Sequence, residues 1–278
     1  MKLPDNFNFS QSSLQDYVQC HYRFYLRHLK RLAWPALQTD NALLLENHML
    51  CGARFHRLVQ QYFTGLPLER LNAAAAADPD SQIWQWWQDF LVFFLQEPQG
   101  RPSAELILLT RIDTQRLMAK FDLVLKHAKG VSIYDWKTNQ RQFKITSLQK
   151  RLQTRVYLYT LASEYFSLVG EEKPAFEEMR MIYWQANFPD EPMILQYSES
   201  AYQADKAYLT HLIKEICSRD EDEFEKTNDL NQCRYCVYRS LCERGIEAGS
   251  YDAFEKETEG GGLDDFDIDM EHVMEFEI

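Results

Sequence analysis

The chain has 278 residues, 45% of them hydrophobic and 14% aromatic, and a formal net charge of −12. That length allows one large domain or two small ones with a substantial core, and no apolar run reaches the roughly 18 residues of a membrane span. The opening "MKLPDNFNFS" lacks the basic-then-apolar order of a secretion signal, so the expectation is a cytoplasmic protein without a membrane partner. An acidic chain argues at first against nucleic-acid binding, but the charge is uneven. Residues 246–278 hold twelve Asp/Glu against the single Lys256, leaving 30 acidic and 29 basic side chains elsewhere. A near-neutral body can still hold a basic groove.

In chain order, residues 10–31 open with serines suited to an N-cap and continue with helical spacing, which places Tyr17, Cys20 and Phe24 on one face. A second helix is predicted over 41–63. The alanine-rich stretch 73–80 reads as a fraying helix end and loop, and "IWQWWQDFLVFFLQ" (83–96) as a buried apolar helix. Short apolar runs at 104–112, 116–127 and 131–138 predict a three-stranded meander, with turns at Asp113-Thr114-Gln115 and Lys129-Gly130. A long helix over 146–169, strands over 178–186 and 192–198, and a helix over 202–219 follow. No internal repeat is visible. The order predicts an α/β fold, a mixed central sheet flanked by helices, with an N-terminal helical region. Residues 1–245 are expected to form one domain with a helical insertion at about 41–100. Gly260, Gly261 and Gly262 then mark a flexible joint in an acidic tail, 246–278.

The middle of the chain carries chemistry. Asp135 and Lys137 lie at i and i+2 of a predicted strand and project from one face. Asp122, on the neighbouring strand, can join them if the register allows, and Glu105 can add a third carboxylate. Carboxylates beside a lysine suit a hard divalent cation. That combination can activate water and neutralise charge during phosphodiester hydrolysis. A lone D-x-K triplet is common, and the competing reading is a solvated strand-edge pair. Downstream, Gln153 and Tyr157 share a helical face at i, i+4. His56, in "GARFHRL", is most simply a satisfied histidine, yet can serve as a metal ligand. Near the end, Cys233, Cys236 and Cys242 are spaced C-x2-C-x5-C. In a reducing compartment such spacing points to a metal, with one ligand missing.

The succession "SLQDYVQCHYRFYL", "GARFH", an acid on a strand, "FDLVL", "YDWKT", "QTRVYLY" and C-x2-C-x5-C resembles the PD-(D/E)XK nuclease superfamily. It is most similar to the branch holding the RecB and AddB nuclease domains and the CRISPR-associated exonucleases. The resemblance spans about residues 9–244. It implies a restriction-endonuclease-like fold, Asp122 and Asp135 as Mg²⁺ or Mn²⁺ ligands, His56 as a further ligand, and Lys137 as the catalytic lysine. It also implies a water-mediated metal contact for Glu105, and a supporting role for Gln153 and Tyr157 toward the site and the DNA backbone. Three positions depart from the family pattern: Lys120 stands where glycine is usual, Cys20-His21 replaces Cys-Pro, and Trp136 replaces the tyrosine of D-Y-K.

The resemblance also supplies a fourth thiolate, Cys20, which with Cys233, Cys236 and Cys242 would bind a [4Fe–4S] cluster as a C-terminal clip closing the domain. Zinc, with Cys20 or His21 as fourth ligand, is the competing reading. Cys51 and Cys217 are left as buried small hydrophobes. The expected function is a metal-dependent DNase acting as an exonuclease on single-stranded DNA ends, in repair, recombination or CRISPR adaptation, beside a helicase or adaptation partner. The alternative is a non-catalytic DNA-binding or assembly module that recruits partners through its acidic tail.

Overall fold

The computed structural model describes residues 3–4, 7–33, 40–234 and 236–245; the triple glycine and the acidic tail lie outside them. At the centre is a six-stranded mixed sheet. Strands β2 (Gly100–Ile112), β3 (Gln115–His127) and β4 (Gly130–Lys137) form the expected antiparallel meander. β4 pairs in parallel with β5 (Met179–Gln185), and β5 pairs antiparallel with β6 (Met193–Gln196). A strand too short for periodicity to reveal, β1 (Asn8–Ser10), pairs in parallel with residues 116–118 of β3.

β2 takes one edge of β3 along its length, so β1 and β4 must share the other. β1 covers residues 116–118 and β4 covers 123–127. Residues 119–122 lie in the gap between those two ladders.

Helices cover both faces. On one side α1 (Gln11–Gln19), α7 (Leu152–Thr160) and α9 (Glu199–Ser218) enclose a core with Leu14, Tyr17, Phe121, Val156 and Ile213. On the other, α3 (Asp40–Phe63), α4 (Leu68–Ala76) and α5 (Ser81–Phe94) enclose Phe55, Trp87, Phe90, Trp136 and Trp184. Each aromatic removes roughly 150–250 Å² from water, about 4–6 kcal/mol of transfer free energy before conformational entropy is subtracted. All eight residues of β4 are buried, as a strand sandwiched between two helical layers requires. The alanine run, read as a fraying end, supplies the last turn of α4. Gly130, at φ 126°, enters β4 where an added Cβ would fall 2.0 Å from the Glu178 carbonyl oxygen, so no side chain fits there.

Two predicted helices are broken. The first stops at Cys20, whose backbone is extended (φ −162°, ψ 110°), before α2 (His21–Phe24) and a π-helical turn, Tyr25–Leu29. Cys20 is therefore off the helical face that holds Tyr17 and Phe24. The Asp16 carboxylate gathers Arg23 (2.7 Å), Arg27 and His28 (3.0 Å each), contacts made as the chain turns there. The long helix over 146–169 is in fact α6 (Ile145–Leu148), α7, a π-helical turn and α8 (Phe166–Val169). At the first break Thr154 Oγ donates to the Leu148 carbonyl at 2.6 Å, replacing a helical backbone bond.

The β2–β3 ribbon changes faces partway along. Leu117, Ala119 and Phe121 join the first core, yet Leu123 and Leu125 join the second. Across the ladder Leu106 packs on the first and Ala104 on the second. The switch occurs at Glu105, φ 51°, and opposite it at Asp122, the one pair missing from an otherwise continuous register. Strand side chains alternate strictly, so exchanging faces needs a backbone step out of the β region, here a left-handed non-glycine residue.

Candidate active site

Asp122 sits where three features coincide: the face switch, the gap between β1 and β4, and the divergence of β3 from β4. The β3–β4 ladder ends at Leu123↔Tyr134, so its register would set Asp122 opposite Asp135. In place of a ladder bond, the Trp136 backbone N–H donates to Asp122 Oδ2 at 3.0 Å. Asp135 and Lys137 project together from β4, with Lys137 Nζ 3.0 Å from Asp135 Oδ2 and both side chains buried. Gln153, from α7, donates through Nε2 to Asp135 Oδ1 at 2.9 Å. Tyr157, one turn on, packs its ring against Phe121 at 4.9 Å between centroids.

His56 comes from α3 on the opposite face. Its Nε2 lies 2.9 Å from the Trp136 carbonyl oxygen, which can only accept, so Nε2 carries the hydrogen. In the neutral ring Nδ1 is then an acceptor, and it lies 3.6 Å from Asp122 Oδ1. Two acceptors face each other favourably only with a cation between them, a proton on His56 or a metal ion. The arrangement also has the form of a metal-binding histidine whose remote N–H is anchored on a backbone carbonyl. Burial pushes the Asp122 carboxyl up. The charge and hydrogen bond of His56, the charge of Lys137 and the Trp136 N–H outweigh it, and the group titrates below the usual carboxylate range.

Glu105 does not join this group directly. Its Oε2 lies 2.6 Å from Lys120 Nζ, on the next β3 residue of the same face. Among the described residues no three His, Cys, Asp or Glu side chains converge closely enough to hold a metal ion. Two carboxylates nonetheless fit Mg²⁺ or Mn²⁺, since Mg²⁺ commonly takes one or two carboxylates and keeps several waters.

Several supporting residues carry no sequence signal. Tyr183 on β5 shares a 2.8 Å hydrogen bond with Thr154, the residue after Gln153 on α7, and its hydroxyl oxygen lies 3.5 Å from Gln153 Oε1. Beyond Lys137 the chain is tied to the end of β5. Gln185 Nε2 donates to the Arg141 carbonyl at 2.8 Å, while its Oε1 accepts from the Phe143 N–H at 2.9 Å. Asn187 Nδ2 donates to the Thr138 and Asn139 carbonyls, 2.9 Å each.

A second constellation brings residues 20–26 together with residues 226–244. Cys20, Cys233, Cys236 and Cys242 line one cavity, which encloses about 360 Å³ of empty space including its open mouth. Arg23, Lys226, Arg239 and Arg244 share its wall. Burial pushes the Cys233, Cys236 and Cys242 thiols up. Around the cavity the Thr227 N–H donates to Cys20 Sγ (3.4 Å) and Tyr238 OH to the Leu32 carbonyl (2.8 Å). His21 instead stacks on Tyr17, 4.3 Å between centroids. Cys217 is exposed rather than buried, and Cys51 is half-buried and donates to Asp80 Oδ2 at 3.0 Å.

Comparison with known proteins adds a family. The sequence model of the PD-(D/E)XK nuclease superfamily matches residues 8–243. No curated protein matches the chain. Among solved structures, the chain is similar to a "Putative exonuclease" from Eubacterium rectale at 12% identity and a TM-score of 0.46, covering 90% of this chain and 92% of that one. It is also similar to the protein SSO0001 at 12% identity and a TM-score of 0.32, covering 83% and 93%. At those scores neither likeness bears on activity.

Proposed function

The chain belongs to the PD-(D/E)XK nuclease superfamily, and on that premise we propose that it is a DNA nuclease that hydrolyses phosphodiester bonds as an exonuclease on single-stranded ends. The observation that carries the reading is the gathering of Asp122, Asp135 and Lys137 at the break in the sheet, with His56 aimed at Asp122 from the opposite helical layer. Asp122, Asp135 and His56 would hold Mg²⁺ or Mn²⁺, with Glu105 reaching it through water. The ion would supply a more acidic bound water and neutralise charge on the phosphate. Lys137 orients the attacking water and donates to the developing oxyanion. Gln153 holds Asp135 in place, and Tyr157 supports the helix that carries Gln153.

The four-cysteine cavity supports the narrower reading, the RecB, AddB and CRISPR-associated branch with a [4Fe–4S] cluster. Four thiols and no carboxylate line it, and the surrounding cations suit a negatively charged thiolate cluster. The cluster's role is structural, joining residues near 20 to residues 233–242 and closing a single domain over 1–245. A reducing cytoplasm is the matching compartment; among the described residues no helix is long and apolar enough to cross a membrane. A helicase or an adaptation complex is the matching partner.

The test compares end-labelled single- and double-stranded DNA with Mn²⁺ for the wild type, Asp135→Ala and Lys137→Ala. Both variants are expected to lose degradation, and equal degradation by all three sinks the assignment. Iron content with broad visible absorption tests the cluster, and a colourless zinc protein overturns it.

A further inference from the structure

The outer half of the β2–β3 ribbon presents an exposed face that the core does not use. From 106 onward, even-numbered β2 residues turn inward, with Leu108, Thr110 and Ile112 buried, and odd-numbered ones turn out. Ile107 is 53% and Leu109 49% exposed, and Arg111 is exposed beside them. The register places Lys120 opposite Ile107, Met118 opposite Leu109 and Arg116 opposite Arg111. These six side chains share one face. An apolar strip of Ile107, Leu109 and Met118 is thus bordered by Arg111 and Arg116, opposite each other at one end, and by Lys120 four residues from Arg116 at the other, about 14 Å along β3. The face ends at Glu105 and Asp122, the next pair along, and Lys120 already touches Glu105. It therefore reaches Asp122 on the face from which His56 approaches.

We propose that this ribbon face is the track for a single nucleic-acid strand leading to Asp122, an inference that rests on the nuclease reading above. The occupant follows from chemistry. A single strand offers phosphates for Arg111, Arg116 and Lys120 and unstacked base faces for an apolar platform. A duplex hides its base faces, and contacts to it through phosphate alone gain nothing from Ile107 and Leu109. On β3, alternation alone sets Met118 and Lys120 on the face opposite Ala119 and Phe121, which stay in the core. Lys120, standing where the family has glycine, is a cation this chain adds at the first step beyond the carboxylates.

The experiment measures the binding of fluorescent 20-nucleotide oligo-dT and of a duplex of equal length by anisotropy, in EDTA, to the full chain and to two variants, Ile107→Ser/Leu109→Ser and Arg111→Ala/Arg116→Ala. Circular dichroism confirms folding. The apolar pair is expected to weaken single-strand binding about tenfold, with duplex binding little changed. The arginine pair is expected to weaken single-strand binding and flatten its salt dependence by about one to two charges. Unchanged single-strand affinity, or equal losses for both substrates in the apolar variant, overturns the proposal. So does an apolar variant that binds DNA more tightly only while residues 260–278 are present, which would assign the face to the acidic C-terminal segment. Degradation of the same end-labelled oligo-dT by the wild type with Mn²⁺ is read separately. Its absence sinks the nuclease reading and leaves the binding result standing.

Discussion

Gln153 Nε2 donates to Asp135 Oδ1 at 2.9 Å, and both groups are buried. The bond ties α7 to β4 and leaves the other Asp135 oxygen to Lys137. A hydrogen bond to a charged, buried acceptor is worth about 1.5–3 kcal/mol. Gln153→Ala is therefore expected to lower kcat by roughly 10- to 100-fold while circular dichroism stays native. Gln153→Glu, which sets a second carboxylate against Asp135, should be worse. Steady-state kinetics on labelled DNA with Mn²⁺ decide it; an unaffected Gln153→Ala would remove Gln153 from the site.

Glu105 is held at φ 51°, a conformation that favours glycine. Its pair with Lys120 is partly exposed and contributes at most about 1 kcal/mol. Glu105→Gly relieves the backbone and loses only that pair, so Tm is expected to hold or rise. DNA cleavage should fall, because the carboxylate beside Asp122 is gone. Calorimetry and the cleavage assay report the two effects separately; a marked drop in Tm would contradict the strain assignment.

Asp16 is buried among Arg23, Arg27 and His28. Burial pushes its carboxyl up, but these cations outweigh burial and hold it well below the usual carboxylate range. A depressed folded-state pKa means the stabilisation is complete above the unfolded value, about 3.9, and is lost as pH falls through the folded value. Urea unfolding at pH 5 and pH 3 should show a steeper acid loss for the wild type than for Asp16→Asn. Asp16→Ala leaves Arg23 buried without its carboxylate and is expected to cost about 3–5 kcal/mol. Equal acid sensitivity in wild type and Asp16→Asn would refute the linkage.

The cysteines separate by position. Cys20→Ser and Cys236→Ser should each lower bound metal and Tm, because both line the cavity that joins residues 20–26 to residues 226–244. Cys51→Ser and Cys217→Ser should leave metal content unchanged. The Cys51 thiol is pushed up to about 11 by burial and its hydrogen bond to Asp80, which suits no thiolate role. Elemental analysis of the purified variants settles the grouping.

Much of the fold was legible. The meander, the apolar helix at 83–96 and the helix at 202–219 follow from period-2 and period-3.6 patterns that any packed layer must satisfy. The helix breaks at Cys20 and at 149–151 were not. Neither has a proline or glycine, and beside each a partner arrives only when the chain folds back: the Glu225 carbonyl accepts from the Tyr22 N–H at 3.0 Å, and Tyr183 hydrogen-bonds Thr154.

What the sequence by itself determined is local. Asp135 and Lys137 share a strand face, Gln153 and Tyr157 a helix face, and three cysteines a metal-like spacing, because each relation spans only a few residues of a regular element. Tertiary structure alone decided that Asp122 stands at the divergence of β3 and β4, and that Glu105 turns the ribbon over. It also decided that His56 is anchored on the Trp136 carbonyl, 80 residues away, and that Cys20 lies by Thr227, 207 residues on. These relations depend on which strands pair and at what register. Burying both faces of the sheet fixes that choice for the chain as a whole, and no short window of residues records it.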